Sequence, residues 1–183
     1  MRSVDEEQLV RRLLDPKSQR SAFEQLVRLY SEQLYWQIRR MVLTHDDAND
    51  ILQNVFLKAW SNLDKFHRDS KIYTWLYRIA TNECLDFLRK QKTRDMVSAD
   101  EPAASVVGRL LADRYFDGDK AAALLQAAIA QLPEVQHTVF NLRYFDGMKY
   151  SDMSQLLHTS EGSLKASYHI AVKKICEFFR QHD

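Results

Sequence analysis

The sequence predicts an all-α protein built from two small helical domains joined by a linker, with a helix-turn-helix in the second domain. The chain has 183 residues but only 4 glycines and 3 prolines, too few turn residues for an all-β protein of this length. Its apolar residues recur at spacings of three and four, as on one face of an α-helix. We place the first domain at residues 1–96, the linker at 97–119 and the second domain at 120–183.

Four helical patterns fill the first domain. The first ends near Pro16, because proline disrupts a helix interior, and the third is expected to begin at a cap formed by Asp46 or Asp47. The fourth follows a polar turn at 67–70 and ends in a basic run at 89–94. The four apolar faces share the helical spacing and are formed by Leu9, Leu13 and Leu14; by Phe23, Leu26, Val27, Tyr30, Leu34 and Ile38; by Ala48, Ile51, Leu52, Val55, Phe56, Ala59, Trp60 and Leu63; and by Ile72, Trp75, Leu76, Ile79, Ala80, Leu85 and Leu88.

The predicted linker interrupts this pattern. It contains Pro102, Gly108 and Gly118 and has an acidic bias, as is typical of a connection between domains. Part of it is expected to dock on another surface, because it also carries the apolar residues Val106, Val107, Leu110 and Leu111.

The second domain begins with an Ala-rich helix at 121–132. Pro133 suits the first turn of the next helix, where its missing N–H does no harm, and Asp146-Gly147 marks the turn that ends it. The sequence from Tyr150 onward has the spacing of a helix-turn-helix.

The helix-turn-helix consists of a short helix at 150–157, a connection at 158–160 and a longer helix that Ser160 caps. Four residues of the longer helix share one face and are expected to pack inward: Leu164, Tyr168, Ala171 and Ile175. The opposite face is small, hydrogen-bonding and cationic, which suits a DNA major groove, and is formed by Ser163, Ala166, His169, Ile170 and Lys173, with Lys165 at its flank. Helix-turn-helix shapes also occur as plain structural corners, and geometry alone leaves both interpretations open.

Positive charge is concentrated in one segment, although the whole chain carries only +1. Residues 65–94 carry 8 basic and 3 acidic side chains, whereas residues 95–142 carry 3 basic and 7 acidic ones. The basic segment interleaves its cations with aromatics, among them Tyr73, Trp75 and Phe87. Cations attract phosphates and aromatics stack on unpaired bases, so the segment fits melted or single-stranded DNA. The alternative is a solvated face, with Trp75 packed in the core.

The sequence argues against an enzyme and against a bound metal or cofactor. Its 6 histidines are scattered without metal-binding spacing, and it has no glycine-rich phosphate loop. No run of about 20 apolar residues would span a membrane, and the N-terminus lacks an apolar signal core, so a cytoplasmic location is expected. Cys84 and Cys176 are expected to be buried, reduced thiols.

Four segments in order resemble motifs of the extracytoplasmic-function (ECF) sigma factors, members of the sigma-70 family of RNA polymerase subunits. Residues 50–60 (DILQNVFLKAW) resemble their polymerase-binding region, and residues 73–82 (YTWLYRIATN) their promoter-melting region. The segment from Leu132 to Gly147 resembles the start of their second conserved domain, and residues 160–165 (SEGSLK) the start of its recognition helix. The resemblance implies an alternative sigma factor that binds core RNA polymerase and directs promoter recognition, DNA melting and transcription initiation.

The resemblance also implies roles for individual residues. The polymerase-binding residues would be Asp50, Gln53, Asn54, Phe56 and Lys58. The minus-10 DNA-binding residues would be His67, Arg68, Asp69, Ser70, Lys71, Arg78, Asn82, Arg89, Lys90 and Lys92. The minus-35 DNA-binding residues would be Ser163, Lys165, Ala166, His169, Ile170 and Lys173. The implied partners are core RNA polymerase, promoter DNA and an anti-sigma factor, often membrane-anchored, and the free protein would be a monomer.

The recognition helix departs from the family pattern, because Ile170 and Val172 stand where relatives often carry arginine. We therefore expect modest and partly apolar minus-35 contacts. Two other hypotheses are a dimeric helix-turn-helix regulator and a helical adaptor that binds polymerase through residues 47–63 without a role on DNA. Packing of the two domains against each other would be expected to hide both DNA-contacting faces.

Overall fold

The structure, a computed structural model, describes residues 3–66, 71–94, 103–116 and 118–182. Within these ranges all regular secondary structure is helical, which confirms the predicted fold class. The α-helices are α1 (Ser3–Leu14), α2 (Gln19–Val42), α3 (His45–Ser61), α4 (Ile72–Arg94), α5 (Ala103–Ala112), α6 (Lys120–Ala130), α7 (Glu134–Tyr144), α8 (Tyr150–Leu157) and α9 (Glu161–His182), with one turn of 3-10 helix at Leu63–Lys65. Among the described residues, no helix combines the length and the apolar character that crossing a membrane requires.

Helices α1–α4 form an N-terminal unit around one apolar core. Helix α2 packs against α1, α3 and α4, and α3 also packs against α4. The buried residues of α2 follow the predicted spacing of four, from Leu26 through Leu34 to Ile38. Each large aliphatic side chain buried in this way contributes about 1.5–3 kcal/mol to stability, so the periodic apolar face holds α2 at the centre of the unit.

The N-terminal cap of α3 is Thr44, so the prediction of Asp46 or Asp47 was wrong. The Thr44 hydroxyl oxygen accepts a hydrogen bond from the backbone N–H of Asp47 at 3.2 Å, and the same hydroxyl donates a hydrogen bond to the Asp47 carboxylate. Helix α2 ends at Val42 and is followed by Leu43, whose φ of 65° is left-handed. Only Leu43 and Thr44 separate the two helices, so α3 begins before the aspartate pair.

Helices α5–α9 form a C-terminal unit, and α5 lies inside the segment predicted as the linker. Its buried residues, Ala103, Val106, Val107 and Leu110, repeat at helical spacing, and α5 packs against α6. The docking expected from the apolar residues of this segment therefore takes place on a helix of the second domain.

The two units pack against each other. Helix α7 contacts α2, and Val139, Leu142 and Met153 are fully buried in the same apolar cluster as the core of the N-terminal unit. The contact therefore has an apolar centre, which buries surface that each unit alone would expose to water.

The two cysteines differ, so one part of their prediction was wrong. Cys84 is fully buried in α4 and burial raises the pKa of its thiol, as expected for an inert core residue. Cys176 is a free thiol but is exposed, because it follows the buried Ile175 by one residue and therefore faces about 100° away from it on α9.

Candidate nucleic-acid and protein interfaces

The outward face of α3 carries an exposed polar surface. Asp50, Gln53 and Asn54 are exposed and lie opposite the buried residues Ala48, Ile51, Val55 and Ala59. The polar surface includes Leu57, which is 65% exposed and which the sequence reasoning missed. Its position, three residues after Asn54, could have revealed it. An exposed leucine among amides and carboxylates suits a protein partner better than a nucleic acid.

The remaining two predicted polymerase contacts are engaged within the protein. Phe56 is half-buried and packs edge-on against Phe23, with ring centroids 6.4 Å apart. Lys58 forms an ion pair with Glu83 of α4. The structure therefore keeps Asp50, Gln53 and Asn54 on one outward face and directs Lys58 toward the neighbouring helix.

A polar stripe begins at Lys71, the residue before α4, and continues along the helix. Lys71, Arg78, Asn82 and Arg89 are spaced by seven, four and seven residues, and residues at these spacings share one face of a helix. Lys71, Asn82 and Arg89 are exposed and Arg78 is half-buried, while Lys90 is exposed at the flank of the stripe. The other predicted contacts, His67, Arg68, Asp69, Ser70 and the side chain of Lys92, lie outside the described residues.

Two cations of the α4 stripe contact the C-terminal unit. The Arg89 guanidinium contacts the Glu134 carboxylate through two nitrogens, at 2.5 and 3.2 Å. Hydrogen bonding to Glu134 and its negative charge raise the pKa of Arg89. Arg78 donates a longer hydrogen bond, 3.4 Å, to the backbone carbonyl of Gln155. Two of the cations predicted to contact minus-10 DNA are therefore bound to the other half of the protein.

Two further ion pairs lie at the end of α2. Arg39, which is 5% exposed, bonds to Asp113 after α5 at 2.5 Å. Arg40 bonds to Asp146 after α7, also at 2.5 Å, and its guanidinium lies over the Phe145 ring, 5.0 Å from the centroid. Each pair joins a cation of the N-terminal unit to an acid of the C-terminal unit, so charge as well as apolar packing holds the two together.

Helices α8 and α9 form the predicted helix-turn-helix. His158 ends α8 with a left-handed φ of 51°, and the Ser160 hydroxyl accepts a hydrogen bond from the backbone N–H of Ser163 at 3.2 Å, which confirms the predicted cap. Leu164, Ala171 and Ile175 are buried, as predicted.

The outward face of α9 is exposed throughout. All six predicted contacts, Ser163, Lys165, Ala166, His169, Ile170 and Lys173, are exposed. Lys165 and Lys173 have intrahelical ion pairs to Glu161 and Glu177, at 3.6 and 4.0 Å, and such surface pairs are weak enough for a phosphate to displace. The expectation that domain packing hides both DNA-contacting faces was therefore wrong for this face, because the units meet on the other side of the helix-turn-helix.

Comparison with known proteins identifies both units. The sigma-70 region 2 family model matches residues 26–94, and the sigma-70 region 4 family model matches residues 122–175. The ECF RNA polymerase sigma factor SigW of Bacillus subtilis is 31% identical over 161 residues, 84% of this chain and 86% of SigW. The RNA polymerase sigma-H factor of Pseudomonas aeruginosa is 31% identical over 169 residues, 88% of this chain and 86% of that protein.

Two solved structures are similar in fold. CnrH, in complex with the cytosolic domain of CnrY, matches with a TM-score of 0.70 and 22% identity over 97% of this chain and 99% of CnrH. The sigma factor RpoE of Bartonella quintana, in complex with the anti-sigma factor NepR, matches with a TM-score of 0.66 and 23% identity over 86% of this chain and 96% of RpoE. Two family models in order, together with relatives that match over most of both chains, establish that this chain belongs to the ECF sigma factors of the sigma-70 family, which direct promoter recognition and transcription initiation.

Proposed function

We propose that this sigma factor divides its work among three faces of the molecule. The outward face of α3 binds core RNA polymerase, the α4 stripe reads and melts the minus-10 element, and the outward face of α9 contacts the minus-35 duplex. The observation that carries this division is the α4 stripe, where Asn82 lies between the cations Arg78 and Arg89 on one side of a single helix. We assign the first face and the stripe to a domain at 1–96 and the third face to a domain at 120–183.

The chain acts by binding and carries out no bond chemistry of its own. Separating a base from its neighbours in the duplex costs a few kcal/mol. Base capture by the residues 67–71 and phosphate contacts from Arg89 and Lys90 would offset that cost. The α9 face adds duplex contacts of mixed character, because Ile170 is 44% exposed between cations and suits a thymine methyl group.

Promoter engagement requires the two units to separate at the α4 stripe. Glu134 and the Gln155 carbonyl occupy Arg89 and Arg78, so minus-10 DNA must displace them. The isolated protein should therefore bind promoter DNA weakly, and core polymerase, by holding the units apart, should expose the stripe.

An anti-sigma factor is the proposed inhibitor. Two observations support this partner: the two similar solved structures are complexes with an anti-sigma factor and with the cytosolic domain of CnrY, and Leu29 and Trp36 are 45% and 41% exposed on α2. These two apolar side chains line a cleft between the units, and exposed apolar side chains at such a cleft suit a partner helix. The free protein is proposed to be a cytoplasmic monomer.

Three variants separate the three proposed faces. Asn54→Arg should abolish binding to core polymerase in native gels, because it places a bulky charge at the centre of the α3 surface. Asn82→Ala should retain core binding and lose selectivity for the minus-10 sequence, and His169→Ala should weaken only promoters that carry a minus-35 element. Loss of core binding in all three variants would contradict the division of work.

A further inference from the structure

The stretch Thr81-Asn82-Glu83 is held by polar contacts on both sides of Asn82. Thr81 is 1% exposed, and its hydroxyl accepts a hydrogen bond from the side-chain amide of Gln37 on α2 at 3.0 Å. The Glu83 side chain is 13% exposed and is ion-paired with Lys58 of α3. Asn82 itself is exposed, so its two chain neighbours are each tied to a different helix while it faces outward.

Together with the buried apolar face of α4, these two contacts restrain the rotation of the helix about its own axis. Successive residues of an α-helix point about 100° apart, so Thr81 and Glu83 lie about 100° on either side of Asn82. A rotation in one direction strains the contact to Gln37, and a rotation in the other strains the contact to Lys58. A contact to α2 and a contact to α3 therefore restrain the direction of Asn82, in addition to the apolar packing of α4.

Both partners of the contact to α2 are buried although they are polar. Gln37 is 1% exposed, and its amide oxygen has no hydrogen-bond partner among the described residues. A buried amide left partly unsatisfied costs stability. Hydrogen bonds, unlike apolar contacts, have strong angular requirements. The Gln37–Thr81 hydrogen bond therefore contributes to orientation more than to the strength of packing.

We propose that Gln37 and Lys58 are positioning residues for minus-10 recognition, which act by holding Asn82 toward the DNA. The inference rests on the proposed function, in which the α4 stripe reads the minus-10 element. It reassigns Lys58 from the polymerase interface to the support of α4, and it gives a role to Gln37, a residue that the family motifs do not single out.

The test compares core binding with minus-10 discrimination in full-length variants. Discrimination is the ratio of transcription from the cognate promoter to that from promoters with each alternative base at the minus-10 positions. Lys58→Met, and the double variant Gln37→Met/Thr81→Val, should each lower discrimination about fivefold or more while affinity for core polymerase changes less than twofold. Lys58→Arg should behave as wild type, and the charge exchange Lys58→Glu/Glu83→Lys should recover most of the loss of Lys58→Glu.

Each outcome bears on one claim. Wild-type protein that fails to start transcription with core polymerase would overturn the proposed function and this inference with it. Active wild type with undiminished discrimination in Lys58→Met would overturn the inference alone. Weaker core binding in Lys58→Met, with no recovery in the charge exchange, would return Lys58 to the polymerase interface.

Discussion

Replacing Arg40 by methionine is predicted to destabilise the contact between the two units more than replacing its partner Asp146 by asparagine. The Asp146 side chain is 5% exposed, whereas that of Arg40 is 21% exposed. Arg40 without its partner keeps some contact with water and lies over the Phe145 ring. Asp146 without Arg40 is a buried carboxylate that has lost its counter-ion.

The expected magnitudes follow from this asymmetry. Removing one partner of a buried ion pair costs about 3–5 kcal/mol. In the wild type the Arg40 side chain is 21% exposed, so the pair is only partly buried, and we expect a smaller loss of about 2–3 kcal/mol for Arg40→Met. Asp146→Asn should cost at most about 1 kcal/mol, because Arg40 remains partly hydrated. The double variant should be more stable than Arg40→Met, with a coupling energy of about 1 kcal/mol or more.

The loss in Arg40→Met should also depend on pH. Burial raises the pKa of Asp146, and the charge of Arg40 opposes that rise. Without Arg40 the pKa rises further. A carboxyl whose pKa is raised in the folded state costs no stability at low pH, where both states are protonated. It costs increasing stability as pH rises from the ordinary pKa of the carboxyl toward the raised pKa of the folded state. The free-energy difference between variant and wild type should therefore be largest at neutral pH and above, and should shrink as pH falls toward the ordinary pKa of an aspartate.

Urea denaturation at several pH values measures the free energy of unfolding, and small-angle scattering of the native state measures the radius of gyration. Arg40→Met should increase the radius of gyration as the units separate. Asp152→Asn, at an exposed acid of α8, is the matched control and should change neither quantity. Equal losses for Arg40→Met and Asp146→Asn, or a loss that is independent of pH, would refute the reasoning.

Three further predictions concern His137, Glu134 and Ser160. Burial lowers the pKa of His137 to about 4, so the unfolded state binds the proton first and about 2 kcal/mol of stability should be lost between pH 7 and 5. Urea titrations should find this loss absent in His137→Leu and unchanged in His169→Gln. Glu134→Gln removes the carboxylate charge that pairs with Arg89. It should tighten binding of the isolated chain to single-stranded minus-10 DNA about twofold, as measured by fluorescence anisotropy. Unchanged binding would contradict the proposal that Glu134 masks the α4 stripe. Ser160→Ala removes the cap of α9 and should lower the free energy of unfolding by about 1 kcal/mol, as measured by thermal denaturation. Ser160→Asp should leave the stability unchanged, because aspartate also caps helices well.

Local patterns in the sequence predicted the helix-turn-helix closely. The spacing from Leu164 to Ile175 fixed which face of α9 is buried, and a serine before that run identified the cap. Both features depend on residues within a few positions of one another. For the same reason the exposed polar face of α3 followed directly from its apolar face.

Contacts between distant residues could not be predicted in this way. Arg89 and Glu134 are 45 positions apart, and Lys58 and Glu83 are 25 apart. From the sequence alone, Arg89 was predicted to contact DNA and Lys58 to contact polymerase, because sequence spacing carries no information about a partner on another helix. Helix α5 was missed for a related reason: it has only 10 residues, contains a glycine, and completes its apolar face only against α6.

The division of work among α3, α4 and α9 is tested most directly by run-off transcription with purified bacterial core polymerase, on DNA from upstream of the gene for this protein. We predict specific transcripts that appear only when the protein is added and that disappear with Asn54→Arg. Native-gel binding of each protein to core polymerase is the control. Core binding without specific transcripts, on any DNA that carries a promoter for this protein, would contradict the account, and wild-type activity of Asn54→Arg would show that the α3 face is not the polymerase-binding surface.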